Sequence, residues 1–199
     1  TRRIWVFCSC CCIGMVVYLV QELSISKKVF TIILPFCGGY FLSYLFRSTN
    51  AVIAPHLITE LNVNSQQLGM LTSSYLFAFA IMQIPLGILL DRFGPRKIQV
   101  ILMIVAGLGS LMFCFGNNLF QLTLARAIIG LGVAGCLMAT FKIISIWYDK
   151  NYWPILYGFC LSSGGIGAIV ATKPLYFVVD NIGWRSAFMI LGFACFFVS

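Results

Sequence analysis

The sequence predicts an all-α, polytopic membrane protein, a six-helix bundle built from two inverted three-helix repeats. Three observations carry that prediction. Charge is scarce, six long apolar stretches have the charge gathered between them, and an internal repeat recurs at an offset of 89 residues.

Hydrophobic residues fill 61% of the 199 positions and charged residues only 9%, and the mean hydropathy is +1.00. A soluble domain keeps roughly a quarter of its residues charged, because its surface faces water. A chain this poor in charge cannot clothe a globule, so its expected solvent is the lipid bilayer. The net charge is +8, but the 13 lysines and arginines are scattered among apolar runs. They form no basic patch with interleaved aromatics, which argues against a nucleic-acid partner. Nine cysteines raise the question of disulfides or metal. Cys37, Cys114, Cys136, Cys160 and Cys195 stand singly in apolar stretches, where cysteine packs as a small hydrophobe. Cys8, Cys10, Cys11 and Cys12 cluster, yet no histidine or acid accompanies them and the spacing fits no zinc pattern. They read as apolar filler or an acylation target. Neither a metal nor a cofactor is expected.

A helix needs about 20 mainly apolar residues to cross a bilayer. By that measure the spans fall near 30–57, 66–90, 98–116, 121–146, 154–179 and from 186 onward. Lys27 and Lys28 precede the first. Asp91, Arg92, Arg96 and Lys97 separate the second from the third, and Asp149 and Lys150 the fourth from the fifth. The alternate breaks are poor in cations. Lysine and arginine thus gather on one side, which the positive-inside rule identifies as the cytoplasm. The 91–97 loop is expected there, in a plasma membrane of the bacterial inner-membrane kind. Residues 1–28 read as a separate N-terminal segment, non-native or interfacial. Ile4–Val20 is apolar, but a crossing there would leave Arg2 and Arg3 on the wrong side, and the segment resembles a signal-like h-region. Residues 29–199 form the transmembrane domain, expected to be cut within its sixth helix.

Residues 69–96 and 158–185 align without gaps. Gly69/Gly158, Ser73/Ser162, Ser74/Ser163, Pro85/Pro174, Leu86/Leu175, Asp91/Asp180, Gly94/Gly183 and Arg96/Arg185 are identical pairs. The aspartates weigh most, because the whole chain has only five acidic residues. The offset spans three helices, an odd number, so one copy enters the membrane from the opposite side to the other. That is the inverted 3+3 repeat found in many secondary transporters.

The stretch Gly87-Ile-Leu-Leu-Asp91-Arg92-Phe-Gly94-Pro-Arg96-Lys97 resembles the signature of the major facilitator superfamily between helices two and three. Leu124-Ala-Arg126-Ala-Ile-Ile-Gly130 resembles that family's fourth-helix motif, and Gly183-Trp184-Arg185-Ser-Ala-Phe188 the start of its sixth helix. The resemblance covers about residues 29–199. It implies the amino-terminal half of a twelve-helix fold, whose other partner is a carboxy-terminal six-helix half. It also implies that Gly87, Asp91, Arg92, Gly94, Arg96 and Lys97 form a conformational gating loop that latches the two halves. Physically, Gly87 lets another helix approach closely, and Asp91 accepts hydrogen bonds from helix-start amides or a nearby arginine.

Charges inside a membrane are expensive and mark functional candidates. All five acidic residues lie at span ends. Arg47 instead sits well within the first span, and Tyr40, Tyr44, Arg47 and Asn50 recur on one helical face. Arg126 lies inside the fourth span, while Lys142 and Lys173 lie near span ends where they can snorkel. Two arginines without a carboxylate point to an anionic substrate, because the guanidinium fork matches carboxylate or phosphate. Organic-anion and phosphate-ester transporters of the anion–cation symporter branch are similar in placing an arginine where Arg47 stands. The expected substrate ligands are Arg47, Arg126, Tyr44, Asn50 and Tyr75, with Gln83 a weaker candidate. His56, beside Pro55 near a span end, reads as a structural residue with a proton relay as the alternative.

The function expected is secondary transport of a small solute, an organic anion, by alternating access, with a proton or sodium ion as the coupling ion. Drug or metabolite efflux is the alternative, although the fifth span lacks the proline of the efflux motif. A non-transporting receptor or scaffold is the alternative of another class. No nucleophile elbow, Walker loop or carboxylate pair is visible, so an enzyme is not expected.

Overall fold

The computed structural model describes residues 27–61 and 63–199, and the chain divides into two compact units, Thr1–Leu34 and Pro35–Ser199. The expectations for Ile4–Val20 and the four clustered cysteines lie outside the described residues. All described secondary structure is helical: α1 (Lys27–Leu61), α2 (Ser65–Phe93), α3 (Pro95–Cys114), α4 (Leu119–Val133), α5 (Cys136–Trp147), a 3₁₀ turn (Lys150–Tyr152), α6 (Trp153–Val170), α7 (Lys173–Ile182) and α8 (Trp184–Val198). By length and composition α2, α3, the α4–α5 pair, and α6 with its leading turn each suffice to cross a membrane.

Two breaks were not expected. The span read as 154–179 is two helices, interrupted at Ala171–Thr172. Pro174 is the reason: it lacks an N–H, and its ring clashes with the carbonyl four residues back. The span read as 121–146 breaks at Ala134–Gly135, within the glycine run Gly130, Gly132, Gly135. Gln83 of α2 donates from Nε2 to the Ala134 carbonyl at 3.1 Å, satisfying an acceptor near the break.

The repeat is visible in the backbone. Gly94 and Gly183, matched at the 89-residue offset, have φ/ψ of 82/153° and 87/154°. Each donates its N–H back four residues, to Leu90 and Val179, and each opens the next helix by accepting from Ile98 and Ala187. That conformation is open to glycine and strained for other residues. The inversion shows in side chains too. Ser74 of α2 donates to the Thr123 carbonyl of α4 at 3.3 Å, and its counterpart Ser163 of α6 donates to the Cys37 carbonyl of α1 at 3.2 Å. The repeat therefore exchanges the α2–α4 contact with the α1–α6 contact.

Small residues permit both contacts. A Cβ on Gly130 would strike the Tyr75 carbonyl of α2, and one on Gly167 would lie 2.6 Å from the Phe41 carbonyl of α1. Backbone atoms cannot yield as flexible side chains do. Gly130→Ala is therefore expected to destabilise the bundle by about 1–3 kcal/mol, as overpacking does. Gly69→Ala, where a Cβ meets nothing within 4 Å, is expected to be neutral or slightly stabilising. Thermal unfolding of the two variants in detergent distinguishes them, and equal melting points would refute the close α2–α4 approach.

An aromatic cluster joins α1, α3 and α8. The Phe113 ring lies 4.2 Å from Phe188 and 5.7 Å from Trp184, and Phe46 lies 6.3 Å from Phe188. Beside it, Glu60 at the end of α1 accepts from Trp184 Nε1 at 2.6 Å and pairs with Arg185. The Trp184 bond first, and the Arg185 guanidinium second, hold the Glu60 carboxyl below its ordinary range. The stability it contributes is thus complete above the ordinary carboxylate pKa and is lost as pH falls through the lowered value. Because the pair is substantially solvent-exposed, Glu60→Gln is expected to cost only about 0.2–1 kcal/mol at neutral pH. The gap to the native protein should close in acid, as melting curves at neutral and acid pH would show.

Candidate functional site

α1 supplies one wall of a cavity because its polar stripe recurs every three to four residues. Tyr40, Ser43, Tyr44 and Arg47 line it from α1, Tyr75, Phe79 and Gln83 from α2, and Val133, Ala134, Leu137 and Met138 from the α4–α5 break. Its volume is about 260 Å³, near the lower end of small-molecule sites. Tyr40 and Tyr44 pack edge to face at 5.1 Å. Gly164 of α6 lies against both rings, where a Cβ would clash.

Arg47 is the charged member of this lining. Its guanidinium carbon stands 5.7 Å from the centre of the Phe79 ring, its side chain is exposed, and among the described residues it has no acidic partner. A cation over an aromatic face keeps its fork free for an incoming acceptor. No described carboxylate lines the cavity.

The other expected ligands are placed differently. Tyr44 and Tyr75 line the cavity beside Arg47. Asn50 turns from it and donates to the Thr72 hydroxyl of α2. Arg126 is only 1% exposed and does not line the cavity. Its guanidinium lies 4.8 Å from the Phe113 ring centre and 5.1 Å from that of Phe188, and Nη1 donates to the Phe46 carbonyl at 3.3 Å. Nε and Nη2 are buried without a hydrogen-bond partner among the described residues. Tyr75 lines the cavity with Arg47 and lies within electrostatic reach of both arginines. Ser43 and Phe79 were missed from the sequence, although Tyr75, Phe79 and Gln83 recur at steps of four on α2. The α4–α5 wall carries no polar side chain, so nothing in the sequence marks it.

At the 91–97 loop, Asp91 pairs with Lys142 of α5 at 2.7 Å. Among the described residues, nothing lies within 4 Å of a Cβ placed at Gly87. Gly94 makes the tight turn, and Arg92, Arg96 and Lys97 are exposed around it.

Comparison with known proteins agrees with this architecture. "Probable sulfoacetate transporter SauU" of Cupriavidus necator is 28% identical over 156 residues, covering 78% of this chain and 36% of that protein. The hexuronate transporter of Escherichia coli K12 is 30% identical over 158 residues, covering 77% and 36%. The chain therefore spans little more than a third of the length of these curated relatives. Among solved structures, a bacterial homologue of the human lysosomal transporter Spinster, inward-facing and occupied, superposes with a TM-score of 0.77 at 22% identity, covering 87% of this chain and 43% of that one. That likeness concerns the fold. The Major Facilitator Superfamily model matches residues 36–199, and the chain belongs to that family of membrane transporters, not to the enzymes.

Proposed function

We propose that the chain is the amino-terminal half of a secondary transporter that moves a small organic anion by alternating access. The observation that carries this reading is Arg47, a cation on the wall of a small aromatic cavity with no acidic partner among the described residues. A guanidinium in a membrane interior is expensive unless something neutralises it, and a carboxylate or sulfonate fits its fork. The relatives point the same way, since sulfoacetate and hexuronate, named for two of them, are both anions. Tyr44 and Tyr75 would supply hydroxyls for orientation, with Arg126 a charge behind the wall.

The coupling ion on this reading is a proton or sodium. The described spans hold no acidic side chain inside the membrane, so a proton-carrying carboxylate would come from the second six-helix half. The cation-rich 91–97 loop would face the cytoplasm of a bacterial inner membrane. There the Asp91–Lys142 pair and open Gly87 would form the contact that the second half engages and releases as the cavity changes sides. The test is uptake by vesicles holding the intact transporter, with sugar acids and small sulfonates compared with neutral sugars of equal size. Saturable uptake of the acids alone is expected. Uptake of the neutral sugars alone, or of nothing, would end the anion reading.

A further inference from the structure

The inverted repeat that sets the fold also duplicates a cleft. Where α2 passes α5, a cleft of about 410 Å³ opens at the end carrying the 91–97 loop, walled by Gly87 and Asp91 on one side and Met138, Phe141 and Lys142 on the other. Where α1 passes the α6–α7 break, a second cleft of about 530 Å³ opens at the opposite end. Val52 and Pro55 form one of its walls, and Thr172, Lys173 and Tyr176 the other. The repeat maps one cleft onto the other. Thr172 and Tyr176 are the counterparts of Gln83 and Gly87 at the 89-residue offset. Val52 and Pro55 stand to Met138 and Phe141 as Cys37 stands to Thr123, at an offset of 86 residues.

The first cleft adjoins the Arg47 cavity, sharing Gln83 and Met138 with it. The second shares no lining residue with the cavity and takes its α1 wall from Ser48 onward, further along the helix that carries Arg47. Each cleft also holds one lysine, and the repeat does not relate these lysines. Lys142 stands on the α5 wall, whereas Lys173 opens α7 on the wall that corresponds to α2. Duplication accounts for the shape of the clefts and leaves their cations unexplained. A stability role explains them poorly: Lys173 has no ion pair among the described residues, and the Lys142 pair is exposed on both sides, where such pairs contribute little. Positive charge in a low-dielectric cleft raises the local concentration of anions and speeds their capture.

Building on the anion reading above, we infer that Lys173 and Lys142 are loading and unloading stations, one in each mouth, for a carboxylate-class substrate held between them at Arg47. At the loop end the anion and Asp91 compete for the same ammonium group, so arrival there displaces Asp91 from its partner.

The test uses the intact transporter in vesicles, with Lys173→Gln and Lys142→Gln beside the arginine variants at both positions. Each glutamine variant is expected to lower kcat/KM for transport about three- to tenfold, more for a dicarboxylate than for a monocarboxylate of the same size, and to flatten its salt dependence. The arginine variants keep the charge, so they are expected to retain the salt dependence and the dicarboxylate preference that the glutamine variants lose, whatever their absolute rates. Equal losses for both substrates, or no loss in either glutamine variant, would overturn the inference. Should Lys142→Gln fail to fold without its Asp91 pair, Lys173→Gln, which breaks no ion pair among the described residues, decides alone. The anion reading fails separately, since it falls if the native transporter moves no anion.

Discussion

Arg47→Ala is expected to lower kcat/KM for an anionic substrate by roughly thirty- to several-thousandfold while leaving the melting temperature in place. Removing one partner of a hydrogen-bonded charge pair in a desolvated site costs about 2–5 kcal/mol, and each 1.4 kcal/mol is about a factor of ten. The fold has little to lose, because the Arg47 side chain is exposed on the cavity wall and its recorded contact is the Phe79 ring. Arg47→Lys separates charge from shape. The ammonium keeps the attraction and loses the bidentate fork, so a loss of about tenfold is expected. Initial rates of anion uptake by vesicles with equal amounts of each variant make the measurement. An alanine variant that transports at the native rate would remove Arg47 from the site, and with it the main support for an anionic substrate.

How much of this was legible beforehand depends on which physical signal each feature leaves. The repeat was readable because aspartate is rare in this chain and because only glycine adopts the backbone of Gly94 and Gly183 without strain. The cavity stripe of α1 was readable because polar residues stand out in an apolar helix. Its continuation was not, since after Arg47 the stripe changes role at Asn50, which bonds to Thr72 of the neighbouring helix. The opposite wall of Val133, Leu137 and Met138 looks like any lipid-facing run. The broken fifth span is legible in principle: Pro174 is one half of a matched pair with Pro85, yet Pro85 lies within an unbroken helix. What a proline does depends on whether neighbouring helices re-satisfy the freed carbonyl, and that is tertiary information.

Arg126 poses the same question of role, and here energetics decide the expectation. The sequence marks it as a buried charge facing either substrate or structure, and the structure places it in an aromatic box with no carboxylate. The returns there are two cation–π contacts, each up to about 2 kcal/mol when desolvated, and one charge-assisted bond to the Phe46 carbonyl, about 1.5–3 kcal/mol. Against them stand a desolvation penalty of several kcal/mol and two donor nitrogens with no partner among the described residues, each costing about 1–3 kcal/mol. The balance is close to zero or unfavourable, so Arg126 is poorly explained as a stabilising residue. Arg126→Met, which keeps the length and fills the box with an apolar chain, is accordingly expected to melt at or above the native temperature. The same variant is expected to lose about ten- to a hundredfold in anion transport, because the second positive charge within electrostatic reach of Tyr75 disappears from a low-dielectric site. Melting curves and uptake rates on one preparation separate the roles. A fall of several degrees in melting temperature, in step with the loss of uptake, would show that Arg126 holds α4 to the Phe113–Phe188 cluster and serves the substrate only through the fold.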